Sequence, residues 1–147
     1  MNQAPSLIKP VIRYDNNPIV ASADVNRVWV EPELQTITVH NAGITEFEGQ
    51  IIMLFRSHLR NGMSVLGIAR SKNGLDNWEI DKRPALIPCS KDDYFAGGTD
   101  IKQLIENEMG GLEDARITRI DNTYLITYSA YHATIAHRVR VSLITTT

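Results

Sequence analysis

The chain has 147 residues, 43% of them hydrophobic and 22% charged, with a formal net charge of -2, which describes an ordinary globular protein of one modest domain. No basic excess offers itself to a phosphate backbone, so a nucleic-acid partner is not expected. A single cysteine, Cys89, excludes an intramolecular disulfide and a cysteine-based zinc cluster, and no charge-free run reaches the ~20 apolar residues that cross a bilayer.

The opening segment, MNQAPSLIKPVIRYDNNPIV, carries Lys9 and Arg13 where a signal peptide would be unbroken and apolar. The expected location is therefore cytoplasmic, with no membrane partner. Residues 1–36 read as an irregular lead-in punctuated by Pro5, Pro10, Pro18 and Pro32. The stretch QTITVHNAGITEFEGQIIMLFRSH is rich in β-branched and aromatic residues around a turn signal at Glu48-Gly49, which predicts a β-hairpin. After Asn61-Gly62, SVLGIARS reads as a third strand, and Asn73-Gly74 turns the chain into a short fourth one, NWEI. Residues 83–110 read as a linker, in which DIKQLIENE is a short helix or an ordered loop. Strands resume with ARITRI, a turn at Asp121-Asn122, TYLITYSAY and RVRVSLITT.

An internal repeat links these pieces. ITEFEGQIIMLF begins at Ile44 and ITRIDNTYLITY at Ile117, and their strand, acidic turn and second strand superpose: Phe47 with Ile120, Glu48 with Asp121, Gly49 with Asn122, Phe55 with Tyr128. Each copy is followed by a third strand, and only the first has a fourth. The pattern predicts an all-β fold of small antiparallel sheets repeated around an axis, as in a β-propeller. The first blade is placed at about 37–82 and a second, incomplete blade at 111–147. Propellers typically close with 4–8 blades, so about two blades form a fragment with open faces and edges. A small β-sandwich with a fortuitous repeat is the alternative.

The order of motifs resembles the N-terminal part of glycoside hydrolase family 130, which contains β-mannoside phosphorylases and β-mannosidases. The resemblance rests on NPIV at Asn17 to Val20, HNAGI around Asn41, LFRS, SVLGIARSKNG, and GLEDARIT followed by TYLITYSAY. It implies a five-bladed propeller with sugar bound at the central axis. It implies Asp114 as the catalytic acid, with Asn41 and Arg56 holding the sugar beside it and Ser64 joining them. In phosphorylases of this family the proton passes from the aspartate through a mannosyl hydroxyl to the glycosidic oxygen, while inorganic phosphate attacks the opposite face of the anomeric carbon. The residues that hold phosphate, and the second carboxylate of hydrolytic members, belong to later blades. Two family prolines are replaced by Ala42 and Ala115, which removes restraint on the backbone of Asn41 and Asp114 but leaves their functional groups.

The residues themselves leave alternatives open. A carboxyl at Asp114 donates a proton only if burial, a like charge or a hydrogen bond keeps it protonated. On a regular strand Glu113 and Asp114 would point to opposite faces, one reaching the site and the other bracing a blade. Glu113, Asp114 and Arg116 equally read as a salt-bridged strand start, Arg56 as a solvated edge residue, and Asn41 as local turn support. Tyr131 is the better aromatic candidate for sugar stacking, whereas Trp78 reads as core. The four histidines, His40, His58, His132 and His137, lack metal-ligand spacing, so no metal or organic cofactor is expected.

The leading expectation is inverting phosphorolysis of β-mannosides to α-mannose 1-phosphate, with inorganic phosphate as cosubstrate and Asp114 as acid, an activity that requires the C-terminal blades and that the isolated fragment is not expected to show. Glu113, Arg116 and Tyr131 join Asn41, Arg56 and Ser64 as candidate sugar-site residues. Retention of a phosphorylated product inside the cell favours phosphorolysis. The alternatives are an inverting β-mannosidase and an inactive or sugar-binding truncated fragment, and a homo-oligomer would be the route by which several chains complete a ring.

Overall fold

The computed structural model describes residues 12–88, 110–131 and 139–147. The reading of DIKQLIENE, and those of Cys89, His132 and His137, lie outside them. The architecture is all-β, with seven strands among the described residues: β1 (Thr36–Phe47), β2 (Gln50–Leu59), β3 (Ser64–Ser71), β4 (Glu79–Ile80), β5 (Gly111–Ile120), β6 (Thr123–Tyr131) and β7 (Val139–Thr146). Strands β1 to β4 form one antiparallel unit and β5 to β7 a second. The strand order is β1-β2-β3-β5-β6-β7, with β4 also on β3, and the sheet does not close into a barrel. This is an open arrangement of two propeller-like blades.

Turn chemistry sets the register. Glu48 and Gly49 both have positive φ, 49° and 72°, the left-handed pair that matches the twist of a two-residue hairpin. Asp121, at φ 52°, occupies the corresponding position in the second unit. The repeat legible in the sequence is therefore a repeat of hairpins.

The outer edge of β3 is lined by three segments in turn. Strand β4 pairs with Ala69 and Arg70, Leu86 bridges Leu66, and Gly111 pairs in parallel with Ser64. That last pair joins the two units. Gly111 has φ 134°, and a Cβ there would lie 2.6 Å from the Ser64 nitrogen; only glycine lets the chain start β5 against β3.

Strand alternation divides the core in two. On one face of the first unit, Met53, Phe55, Leu59, Val65 and Ala69 pack with Val20, Val25 and Trp29 of the lead-in. On the other, Leu54 and Leu66 meet Leu112, Ala115, Tyr128 and Ala130 of the second. The lead-in thus has structure that its prolines conceal. A helix, α1 (Ser22–Val28), is followed by a 3-10 turn at Pro32–Leu34. The Asp24 carboxylate accepts from the Ala21 N–H at 2.8 Å, closing the first turn. Val25 and Trp29, four residues apart, face the sheet and are fully buried. Trp29 stacks on Phe55 with centroids 6.0 Å apart and donates its indole N–H to the Asp81 carbonyl at 2.8 Å. Burying two such rings stabilises the unit by roughly 1.5–3 kcal/mol each. Gly67 makes room for them, since a Cβ there would fall 2.3 Å from the Phe55 ring. Trp78 packs against the same cluster, as expected of a core residue.

The far face of the second unit has no such cover among the described residues. Val139, Val141 and Leu143 alternate along β7 and are all exposed, Val141 at 75%. The anticipated open face of a partial propeller is thus present at β7.

Candidate active site

β1 and β5, the first strands of the two units, lie side by side, and both are bulged at the same point. Register shifts fall between His40 and Gly43 on β1 and between Glu113 and Arg116 on β5. At each bulge one residue takes a left-handed backbone: Asn41 at φ 49° and Asp114 at φ 55°. Asn and Asp tolerate that conformation better than other non-glycine residues. The two positions are 73 residues apart, the same offset that separates the two hairpin repeats. Asn41 and Asp114 are therefore equivalent positions of one repeated bulge, aimed at each other. Gly43 allows the approach, because a Cβ there would sit 2.9 Å from the Ala115 carbonyl oxygen.

The bulges bring the polar side chains together. Asn41 Nδ2 donates to Asp114 Oδ1 at 2.9 Å. Arg56, on the middle strand of the first unit, donates through Nη1 to Asp114 Oδ1 at 3.2 Å and through Nη2 to Glu113 Oε1 at 2.6 Å. Its Nε donates to Ser64 Oγ at 3.2 Å, and Ser64 Oγ donates to Glu113 Oε1 at 3.3 Å. One guanidinium thus spans two carboxylates and a hydroxyl, a use of its forked donors that lysine could not reproduce. The side chains of Arg56, Glu113 and Asp114 are 16%, 23% and 36% exposed, so the cluster opens to solvent at its aspartate.

The expectation that Glu113 and Asp114 face opposite sides fails for a specific reason. A regular strand would separate them, but the bulge at Asp114 rotates its side chain back, and Arg56 holds both. Neither is left to brace a blade alone.

Electrostatics then define the state of Asp114. Partial burial would raise its pKa, but the hydrogen bond from Asn41, the hydrogen bond and charge of Arg56, and the charge of Arg116 outweigh it and hold the carboxyl below the ordinary aspartate value. In this arrangement Asp114 is an anion near neutral pH. Arg116 contributes only by its field. It is exposed, and its Nη1 donates to the Ala115 carbonyl at 2.8 Å rather than to either carboxylate. Tyr131 is half-buried at the end of β6, opposite Gly111; no hydrogen bond joins it to the carboxylate cluster among those described. Ser64 lies in the cluster but is 1% exposed.

A cavity of about 260 Å³ adjoins Asn41, lined on one side by Asn17 to Val20 and on the other by Val39 to Ala42. It places the NPIV and HNAGI motifs, distant in sequence, against each other. A separate apolar cavity of about 230 Å³, between the units at Leu54, Ile117 and Tyr124, lies away from the carboxylates. Among the described residues no cluster of three His, Cys, Asp or Glu side chains could hold a metal ion, and no helix is long and apolar enough to cross a membrane.

Sequence reasoning missed His58, whose Nδ1 lies 3.3 Å from Ser64 Oγ. Its signal was modest: His58 and Ser64 flank one turn and become direct cross-strand neighbours once the hairpin register is set.

The fold is shared with solved structures. A solved β-1,2-mannobiose phosphorylase from Listeria innocua is 22% identical, with a TM-score of 0.68, and the match covers 91% of this chain and 47% of that one. A glycosyl hydrolase from Bacteroides ovatus is 24% identical with a TM-score of 0.68, over 91% of this chain and 37% of that one. A third structure is described as "The GH130 family of mannoside phosphorylases contains glycoside hydrolases that target beta-1,2 mannosidic linkages in Candida mannan"; it is 24% identical with a TM-score of 0.69, over 99% of this chain and 40% of that one. The chain thus spans less than half the length of these structures, and the likeness to them is one of fold. Among curated proteins no match is found. The family model described as beta-1,4-mannooligosaccharide phosphorylase matches residues 11–147, and the chain belongs to glycoside hydrolase family 130.

Proposed function

We propose that this chain supplies the acid side of a site for inverting phosphorolysis of β-mannosides, giving α-mannose 1-phosphate and the shortened sugar. The observation that carries this reading is the Asn41–Asp114–Arg56–Glu113 cluster, in which two equivalent bulges and one arginine aim at a single carboxylate. Asp114 is the group we assign as acid. Asn41 and Arg56 hold the mannosyl unit beside it, with Ser64, Glu113, Arg116 and Tyr131 around them. Inorganic phosphate is the cosubstrate.

Acid catalysis sets a requirement. The donors around Asp114 favour its anion, and an acid must be protonated when the bond breaks. Sugar hydroxyls that displace Asn41 or Arg56 from Oδ1 would remove stabilisation of the anion and raise the pKa. The site is then poised to load its proton on binding.

A second reading has its own support. The depressed Asp114 pKa and the shorter span relative to the matched structures favour a sugar-binding unit whose chemistry is completed by further blades. Incubating the purified chain with β-1,4- and β-1,2-mannobiose, with and without phosphate, separates the readings. Phosphate-dependent α-mannose 1-phosphate that disappears in Asp114→Asn supports phosphorolysis. Free mannose released irrespective of phosphate rejects it in favour of an inverting mannosidase, and saturable binding without turnover means that this chain alone acts as the sugar-binding unit and that any phosphorolysis needs further blades.

A further inference from the structure

Ser64 begins β3 directly opposite His58 on β2, and its buried hydroxyl has three polar neighbours among the described residues. Arg56 Nε is 3.2 Å away, Glu113 Oε1 3.3 Å and His58 Nδ1 3.3 Å. A serine hydroxyl has one proton to donate and two lone pairs that accept. A guanidinium nitrogen only donates, and the carboxylate oxygen paired with Arg56 accepts. The Ser64 proton is therefore committed to Glu113, and Arg56 fills one lone pair. What remains on Ser64 can only accept, so His58 must present an Nδ1–H.

We propose that His58 is a positioning residue of this site: held with its proton on Nδ1, it locks the Ser64 hydroxyl toward Glu113 and thereby sets the Arg56 clamp on the two carboxylates. Its action is indirect. A bare Nδ1 would compete for the one Ser64 proton and turn a serine lone pair toward Glu113 Oε1. Glu113 Oε1 would lose a donor and face a lone pair instead, and the carboxylate that Arg56 Nη2 binds would be pushed out of place. Arg56 orientation matters because the same group reaches Asp114. Ser64, with its proton spent inside the protein, serves this relay and has none to offer a sugar hydroxyl. The hydrogen-bond assignment stands on geometry alone; its consequence for sugar binding rests on the mannoside reading above.

Long-range 1H–15N correlation spectra of the full chain test the assignment. At about pH 8, His58 is expected to show a protonated Nδ1 and a bare Nε2. A protonated Nε2 with a bare Nδ1 would overturn the proposal. His58→Asn keeps an N–H donor near the Nδ1 position, whereas His58→Leu keeps the shape without the donor. The Arg56 Nε–H resonance is expected to stay in place in the first and to move in the second. Equal movement in both overturns the relay, and the wild-type tautomer still decides if the leucine variant does not fold.

Mannoside affinity supplies the functional arm. His58→Leu is expected to weaken binding about tenfold, on the order of one hydrogen bond to a charged group, with His58→Asn restoring it. Wild-type binding that His58→Leu leaves unchanged refutes the positioning role. A wild-type chain with the expected tautomer that binds no mannoside refutes the mannoside reading and leaves the relay supported.

Discussion

Replacing Arg56 with methionine removes the cation from between Glu113 and Asp114 while keeping most of the apolar stem. Two carboxylate contacts are lost, at 2.6 Å and 3.2 Å. A hydrogen bond to a charged group contributes about 1.5–3 kcal/mol when shielded, whereas an exposed ion pair contributes about 0–1 kcal/mol. The Glu113 contact, between side chains 16% and 23% exposed, lies between these limits. The Asp114 contact must be discounted toward the lower one, because that side chain is 36% exposed. The expected cost near pH 7 is about 2 kcal/mol in total, or a loss of about 1 M in urea midpoint for m near 2 kcal/mol/M.

The pH dependence has a definite sign. The Asp114 pKa is depressed in the folded chain, so its ion pairing stabilises above the unfolded value of ~3.9 and is lost as pH falls through the folded value. The gap between wild type and Arg56→Met should therefore hold from about pH 7 to about pH 5 and narrow only below that, as pH falls through the folded value. Urea unfolding followed by circular dichroism at several pH values measures it. A gap that is the same at every pH would mean that packing, and not charge, accounts for the loss, and the electrostatic description of the site would be wrong.

Two further outcomes follow from the geometry. In Asn41→Ala, Asp114 loses the hydrogen bond that contributes most to lowering its pKa; the carboxyl midpoint, read by 13C NMR, should rise toward the ordinary aspartate value, and an unchanged midpoint would show that Asn41 does not bond it in solution. Gly111→Ala should destabilise the chain by roughly 2–3 kcal/mol, because it combines φ 134° with a Cβ 2.6 Å from the Ser64 nitrogen. An unfolding midpoint equal to wild type would refute the described junction of the two units.

Strand identity and hairpin register were legible in the sequence because they depend on neighbours. Period-two apolar patterns and the turns at Glu48-Gly49 and Asp121-Asn122 specify hairpins within a few residues. The repeat of those hairpins pointed to equivalent units, and the motif order pointed to Asp114, Asn41 and Arg56, of which the fold brings the last two within hydrogen-bonding distance of Asp114. The helix at Ser22–Val28 was not legible. Seven residues carry too weak a periodicity to stand out between prolines, and the helix is held by Trp29 and Val25 packing on a sheet formed by later residues.

The sequence by itself determined the strands, their turns and the repeat, since each is encoded by residues adjacent along the chain. Only the tertiary structure decided that Glu113 and Asp114 lie on the same side, that Arg56 binds both, and that Ser64 Oγ sits between Glu113 and His58. Those outcomes depend on a bulge and on the close packing of β1 against β5, where a backbone rotation at one residue redirects a side chain that strand parity alone would send the other way.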